Sequence, residues 1–201
     1  LDDVNIISLA PNDFRSVIKA INSINPDEVY YLAGLTSVGL SFEQPVECME
    51  SISLGTLNFL EAIKLNQKKI KFFNAGSSEC FGNTNKIIAN EKTVFAPRSP
   101  YATAKATAFW IVSNYRESYN LFCCTGILGN HESPLRNKRF VTKKIVSGVW
   151  DIVCKKSNEL RLGNLDTWRD WGWAPEYVEA MYLIMHSPEP EDYIIATGVT
   201  N

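Results

Sequence analysis

The sequence predicts an α/β fold centred on a parallel sheet, and three observations predict it. Short β-branched or aromatic apolar runs alternate along the chain with longer stretches of helical spacing. The runs are apolar on both faces, as strands covered by helices on both sides must be. The composition, 45% hydrophobic and 21% charged over 201 residues, is that of an ordinary globular chain of one domain or slightly more.

The elements follow in order. The run 4–8, with Val4, Ile6 and Ile7, reads as a strand. The stretch 12–24 opens on Asn12 and Asp13 and brings Phe14, Val17, Ile18 and Ile21 to one face, which predicts a helix. A strand is predicted over 28–33. The stretch 45–65 opens with Pro45 and carries Met49, Ile52, Leu57, Leu60 and Ile63, a long helix. A strand over 70–75 precedes a helix over 99–119, where Ser99 can cap and Pro100 takes the first helical position. A strand over 122–128, helices over 140–155 and 175–186, and a last strand over 193–196 complete the reading. There is no internal repeat and no low-complexity tract.

Several classes are excluded. No stretch approaches eighteen uncharged apolar residues, so no transmembrane helix is expected. A net charge of −2 argues against a bulk binder of nucleic acid or anionic membrane. The five cysteines, at 48, 80, 123, 124 and 154, form no Cys-x-x-Cys pair, and with only two histidines no metal site is expected. They read as reduced, mostly buried thiols of a cytoplasmic protein. The chain starts at Leu1 on a strand-like run without a signal peptide, so a preceding piece is expected.

Ligands of open parallel sheets bind beyond the carboxyl ends of the strands. That directs attention to Ala33-Gly34-Leu35-Thr36-Ser37, Gly76-Ser77-Ser78-Glu79 and Gly129-Asn130-His131-Glu132. Ala33-Gly34 can admit a cofactor close to the backbone, yet no G-x-G-x-x-G occurs in the chain. Ser77 and Ser78 can hold a substrate oxygen and Glu79 can exchange a proton, or all three form a polar turn. Tyr101 and Lys105 lie four apart on one helix face, where the ammonium favours the phenolate and lowers its pKa. That pairing serves hydride transfer if the tyrosine takes a hydroxyl proton; the alternative is a solvated helix face. Residues 130–161 carry +5, including Arg136 and Lys144, which suits a small polyanion such as a diphosphate or else a basic solvated helix. Arg169 stands in Trp168-Arg169-Asp170-Trp171, whose aromatics either hold the guanidinium or belong to the core.

Together these segments resemble the extended short-chain dehydrogenase/reductases of the NAD-dependent epimerase/dehydratase family, and within them the GDP-mannose 4,6-dehydratases. The similar stretches include residues 26–34, 41–43, 76–79, 97–105, 114–119, 126–134, 140–145, 169–172 and 195–198, in order over nearly the whole chain. Asn130-His131-Glu132-Ser133-Pro134 and Arg169-Asp170-Trp171-Gly172 are far more specific than Tyr-x-x-x-Lys. The resemblance implies a Rossmann-like doubly wound parallel sheet lacking its N-terminal strands, with part of a smaller C-terminal substrate domain. Residues 1–130 would form the partial NADP-binding domain, and 131–201 a mixed region contributing to the substrate domain and the last sheet strand.

The implied reaction is redox-neutral. Tyr101 would take the proton of the sugar 4-hydroxyl while hydride leaves C4 for NADP⁺. Glu79 would remove the acidified C5 proton and help expel the C6 hydroxyl as water, and hydride would return to C6. Lys105 would hold the nicotinamide ribose and tune Tyr101. Ser77 matches the residue that hydrogen-bonds the 4-oxygen. By the same matching Leu32, Ala33, Gly34, Leu35, Thr36, His131 and Arg136 would touch the cofactor, beside Tyr101 and Lys105. Ser78, Asn130, Lys144 and Arg169 would touch the GDP-sugar, the last two near its diphosphate. A homodimer or homotetramer is implied as well.

The departures are specific. The family's glycine-rich turn is not in the chain, its Asp-Leu near the adenine matches Ser8-Leu9, its Tyr-Asn-Leu-Ala is Tyr30-Tyr31-Leu32-Ala33, and its Arg-Asp-Trp-Gly-His ends here in Trp173. The chain therefore reads as an internal fragment of a longer enzyme. Alternatives are a GDP-manno-heptose 4,6-dehydratase, a nucleotide-sugar 4-epimerase, which does not need a carboxylate at Glu79, and a non-catalytic binding protein of the same fold. The fragment alone is expected to have little or no activity, which measurable turnover by the 201-residue chain would overturn.

Overall fold

Local capping decides where the helices begin. Asp13 accepts from the amides of Arg15 (3.1 Å) and Ser16 (3.2 Å) and starts α1 (Phe14–Ile24), which ends at Asn25 in the left-handed conformation. These and all further details come from a computed structural model that describes residues 4–84, 87–166 and 168–200. The outer limits of the two expected regions, residues 1 and 201, lie outside them.

β1 (Glu28–Tyr31) follows, then α2 (Val38–Glu43), capped by the Ser37 hydroxyl. The long helix expected over 45–65 is three pieces in sequence: α3 (Pro45–Met49), a π-helical turn Glu50–Leu54, and α4 (Gly55–Leu65). The π turn has a visible cause. The Tyr31 hydroxyl of β1 donates to the Ser51 carbonyl at 2.5 Å, and a Cβ on Gly55 would collide with that hydroxyl.

β2 (Lys71–Ala75), a 3₁₀ turn Ser78–Phe81, α5 (Pro100–Tyr119) and β3 (Cys123–Leu128) come next. The chain continues with β4 (Asn130–Glu132), α6 (Val141–Val153), β5 (Trp171–Trp173), α7 (Ala174–Met185) and β6 (Tyr193–Ile195). One expectation fails: residues 4–10 form no strand. Ile6 is 92% exposed, and none of the described strands pairs with the run, so its β-branched side chains have no sheet to pack on.

The chain divides into two units. The first runs to Leu128 and regains Met181–Ile194; the second holds Gly129–Ala180 and the segment from Ile195. The main sheet has the order β1-β2-β3-β6, with β1 parallel to β2 (Tyr31 beside Asn74) and β2 parallel to β3 (Phe72 beside Cys123). Adjacent residues face opposite sides. Phe72 and Cys123 join Val17, Ile21, Phe59, Leu60 and Val112 from α1, α4 and α5, whereas Cys124 meets Met185 of α7 (Sγ–Sδ 3.8 Å). Helices on both faces make the sheet doubly wound. The second unit has its own parallel pair, β4 with β5, in which His131 is opposite Gly172.

No helix is long and apolar enough to cross a membrane, among the described residues. All five cysteines are free; four are buried and Cys154 is exposed.

Asp192 ties the end of the first unit together. Its carboxylate takes a two-pronged contact from Arg116 of α5 (3.0 and 2.5 Å) and the Thr125 amide of β3 (2.7 Å). Both side chains are mostly buried. Arg116→Met leaves that carboxylate without its cation and is expected to cost about 3 kcal/mol, read as a lower urea midpoint at unchanged slope.

Candidate active site

The carboxyl ends of β1 and β2 and the start of α5 supply the expected chemistry of the first unit. After β1 the chain turns through Leu32, Ala33, Gly34, Leu35 and Thr36. Gly34 has φ +114°, and a Cβ there would lie 2.6 Å from Ile52 of the π turn. The Leu35 amide donates to the Ser51 hydroxyl at 3.3 Å. The π turn thus supports this loop, a role with no local signal in residue order.

After β2, Gly76 donates to the Gly126 carbonyl of β3 (2.8 Å), and a Cβ on Gly76 would press on Thr125 at 2.7 Å. Ser77, buried, accepts from the Glu79 amide and so starts the 3₁₀ turn that carries Ser78 and Glu79, both partly buried. The polar turn and the candidate chemistry are therefore the same structure.

Ser99 accepts from the Ala102 amide at 3.1 Å and Pro100 begins α5, which sets Tyr101 and Lys105 in its first turns. They are not a solvated face. Tyr101 is 9% exposed and Lys105 5%. The Lys105 ammonium donates to the Ala75 carbonyl at 2.6 Å and lies 5.9 Å from the centre of the Tyr101 ring. Burial pulls the lysine down to about 8, against the pull of Cys80 and Cys48.

The Tyr101 phenol departs from expectation. Burial pushes it up to about 12; the hydrogen bond with Ser77 works the other way, and Cys80 and Glu79 add to the rise. The lowering expected from Lys105 does not occur, because the ammonium is spent on the Ala75 carbonyl and stands over the ring rather than on the hydroxyl.

The second unit holds the remaining candidates. Asn130 and His131 lie on β4; His131 Nδ1 is 3.0 Å from the Gly129 carbonyl, and its ring stacks on Tyr177 at 4.8 Å. Arg136 lies 3.2 Å from the Glu132 carboxylate without hydrogen-bond alignment and stacks on Phe140 at 3.7 Å. Lys143 donates to the Pro134 carbonyl and Arg161 pairs with Glu159. Lys144 is exposed. Arg169 is exposed too and donates to the Trp168 carbonyl; Trp168, 73% exposed, is no core residue.

Two residues of this unit escaped sequence reasoning. Asp170 accepts from the Thr197 amide (3.0 Å), the Thr197 hydroxyl (2.9 Å) and the Gly198 amide (2.8 Å), fastening the C-terminal turn beside Arg169. Tyr177 seats against His131. The first stood in a quoted motif; the second carries no local signal. No three His, Cys, Asp or Glu side chains gather to hold a metal, among the described residues.

Lys105 binds protons less readily here than in the unfolded chain, whose lysine titrates near 10.5. Stability should therefore rise with pH from about 8 to 10.5, as the cost of burying the ammonium disappears. Tyr101, raised, acts oppositely but only above its unfolded value of 10. Lys105→Met is expected to melt higher than the parent at pH 7, with the gap narrowing by pH 10; a gap constant with pH would refute the buried charge.

A profile of the family described as GDP-mannose 4,6 dehydratase matches residues 2–201. The chain is 47% identical over 191 residues to "GDP-mannose 4,6 dehydratase" of Drosophila melanogaster, covering 94% of this chain and 48% of that one. It is 44% identical to "GDP-mannose 4,6-dehydratase" of Yersinia enterocolitica, covering 92% and 50%. The chain thus spans about half the length of the curated relatives it matches. Among solved structures, RMD from Pseudomonas aeruginosa complexed with NADPH superposes with a TM-score of 0.89 at 23% identity, over 97% of this chain and 68% of that one. The dTDP-glucose 4,6-dehydratase DesIV from Streptomyces venezuelae, with NAD and DAU bound, gives 0.85 at 18% identity, over 95% and 57%. These two share the fold, a Rossmann-like sheet. On the full-length profile match and the identity to its curated relatives, the chain belongs to the GDP-mannose 4,6-dehydratase family.

Proposed function

We propose that the whole protein converts GDP-mannose to GDP-4-keto-6-deoxymannose and water. The observation that carries the reading is the buried Tyr101–Lys105 pair standing over the Ser77–Glu79 turn at the carboxyl end of β2. A phenol, a hydroxyl, a carboxylate and a buried ammonium within two adjacent elements make an acid–base set for a sugar carbon skeleton.

The donor set suits the nicotinamide ribose of a dinucleotide. A buried ammonium and a phenol four residues apart match a diol, and Leu32, Ala33, Gly34, Leu35 and Thr36 bring backbone to the same edge. Tyr101, Lys105 and that loop would hold NADP in the first unit; His131 and Arg136 would do so from the second. When bound, the cofactor accepts two electrons at the start of the cycle and returns them at the end. NADP is preferred because the family reading and the NADPH of the RMD structure agree.

To take the proton of the sugar 4-hydroxyl, Tyr101 must first lose its own to solvent, against the burial that raises its phenol to about 12; the Ser77 hydroxyl, whose hydrogen bond favours that loss, also holds the 4-oxygen. Lys105, with its pKa near 8, keeps its charge at neutral pH; its ammonium stands over the Tyr101 ring rather than on the hydroxyl, so its part is to hold the nicotinamide ribose. The 4-keto group acidifies C5; Glu79 removes that proton and passes one to the departing C6 hydroxyl. Ser78, Asn130, Lys144 and Arg169 bind the GDP-sugar. Glu79 favours dehydration over 4-epimerisation, which has no step for a carboxylate there. Trp110 on α5, 62% exposed, supports burial against a second copy in a homodimer or homotetramer. The four buried free thiols support a cytoplasmic protein.

The test is turnover of GDP-mannose by the whole protein with NADP⁺ in deuterated water, read by mass spectrometry. The expected product is lighter by one water and carries solvent deuterium. Glu79→Gln should stop both, and Tyr101→Phe should lower kcat by about 10²–10⁴. Unchanged GDP-mannose from folded, cofactor-loaded protein would overturn the reading.

A further inference from the structure

Tyr177 is buried to 3% exposure, yet its hydroxyl has no hydrogen-bond partner among the described residues. A buried, unpaired hydroxyl costs about 1–3 kcal/mol, so something other than the hydroxyl must account for an aromatic ring at this place. The ring lies against the His131 imidazole, centres 4.8 Å apart and planes 27° from parallel. Its seat is made by two glycines. Gly172, the ladder partner of His131, has no Cβ where the Tyr177 ring passes, and a Cβ on Gly129 would lie 3.2 Å from the Tyr177 hydroxyl. On its other side the imidazole is held by the Gly129 carbonyl, 3.0 Å from Nδ1. A carbonyl only accepts, so this contact requires the proton on Nδ1; in the neutral ring Nε2 is then the acceptor.

We infer that Tyr177 is a positioning residue whose ring, through stacking in the Gly129–Gly172 seat, fixes the His131 imidazole in one orientation and one tautomer. The role assigned to His131 rests on the proposed function, since only there does it face a cofactor. The positioning itself does not, and the two can fail separately. Replacement of Gly172 by any larger residue pushes the ring away, which accounts for glycine between Trp171 and Trp173 in a strand.

Residues 1–201 hold two histidines, and in the whole protein each imidazole is assigned by comparison with its own His→Gln variant and then followed by ¹⁵N and ¹H NMR. His186, stacked on Tyr182 in the first unit, is the internal control for folding. In the parent protein the neutral form of the His131 ring, populated at raised pH, should be the Nδ1-protonated tautomer. Tyr177→Phe keeps the ring and removes the unpaired hydroxyl, so His131 should be unchanged and the melting temperature equal or higher. Tyr177→Leu and Gly172→Ala should each abolish the single-tautomer signature while the His186 signals stay native. In the whole enzyme Tyr177→Leu, unlike Tyr177→Phe, should weaken NADPH binding by about tenfold. An unaltered His131 tautomer in the leucine variant, or its loss in the phenylalanine variant, would overturn the inference. Loss of NADPH binding by the parent itself would instead refute the proposed function while leaving the NMR outcome to stand.

Discussion

The arrangement at the sheet edge depends on one buried ammonium. Lys105 is sealed between α5 and β2, and the Ala75 carbonyl is the acceptor that holds it. Hydration of a lysine is forfeited only where geometry leaves no alternative. Here α5 is pinned from both sides: the Ser53 hydroxyl of the π turn donates to the Ala104 carbonyl at 2.9 Å, and Ser99 caps the helix against its own first turn. Tyr101 and Ser77 inherit their places from that constraint. A cation kept dry is electrostatically strong because so little water screens it.

The support reaches further than the residues that do chemistry. Tyr31, at the end of the edge strand β1, bonds to the Ser51 carbonyl of the π turn, and the same turn underlies Gly34 and Leu35. In the second unit, Asp170 fastens residues 197 and 198, and Tyr177 backs His131. Each unit thus places a layer of polar and aromatic contacts behind its candidate groups, which holds them still at little cost in exposed area.

Much of this was legible from residue order. Ser99-Pro100 announced α5, and Asn12-Asp13 announced α1 within two residues, because caps are local chemistry. The placing of Tyr101 and Lys105 on α5 and of Ser77 and Glu79 after β2 was legible because strand ends and helix spacing are local as well. What was not legible depends on partners distant in sequence. The π turn arises from Tyr31 reaching Ser51 twenty positions on; the run at 4–8 needed a neighbouring strand; the phenol of Tyr101 rose instead of falling because the depth of burial and the Ala75 carbonyl are tertiary facts. Tyr177 gave no signal, since an aromatic in a helix reads as core until its stacking partner is known.

The cysteines carry a practical consequence. Cys80, Cys123 and Cys124 are pushed up to about 12 by burial, and Cys48 is raised as well, so at neutral pH none offers a thiolate. Cys154, at the end of α6, is exposed. Of the five cysteines within residues 1–201, one is an address for a maleimide fluorophore under native conditions, and a reporter attached there watches the second unit without the other four having to be removed.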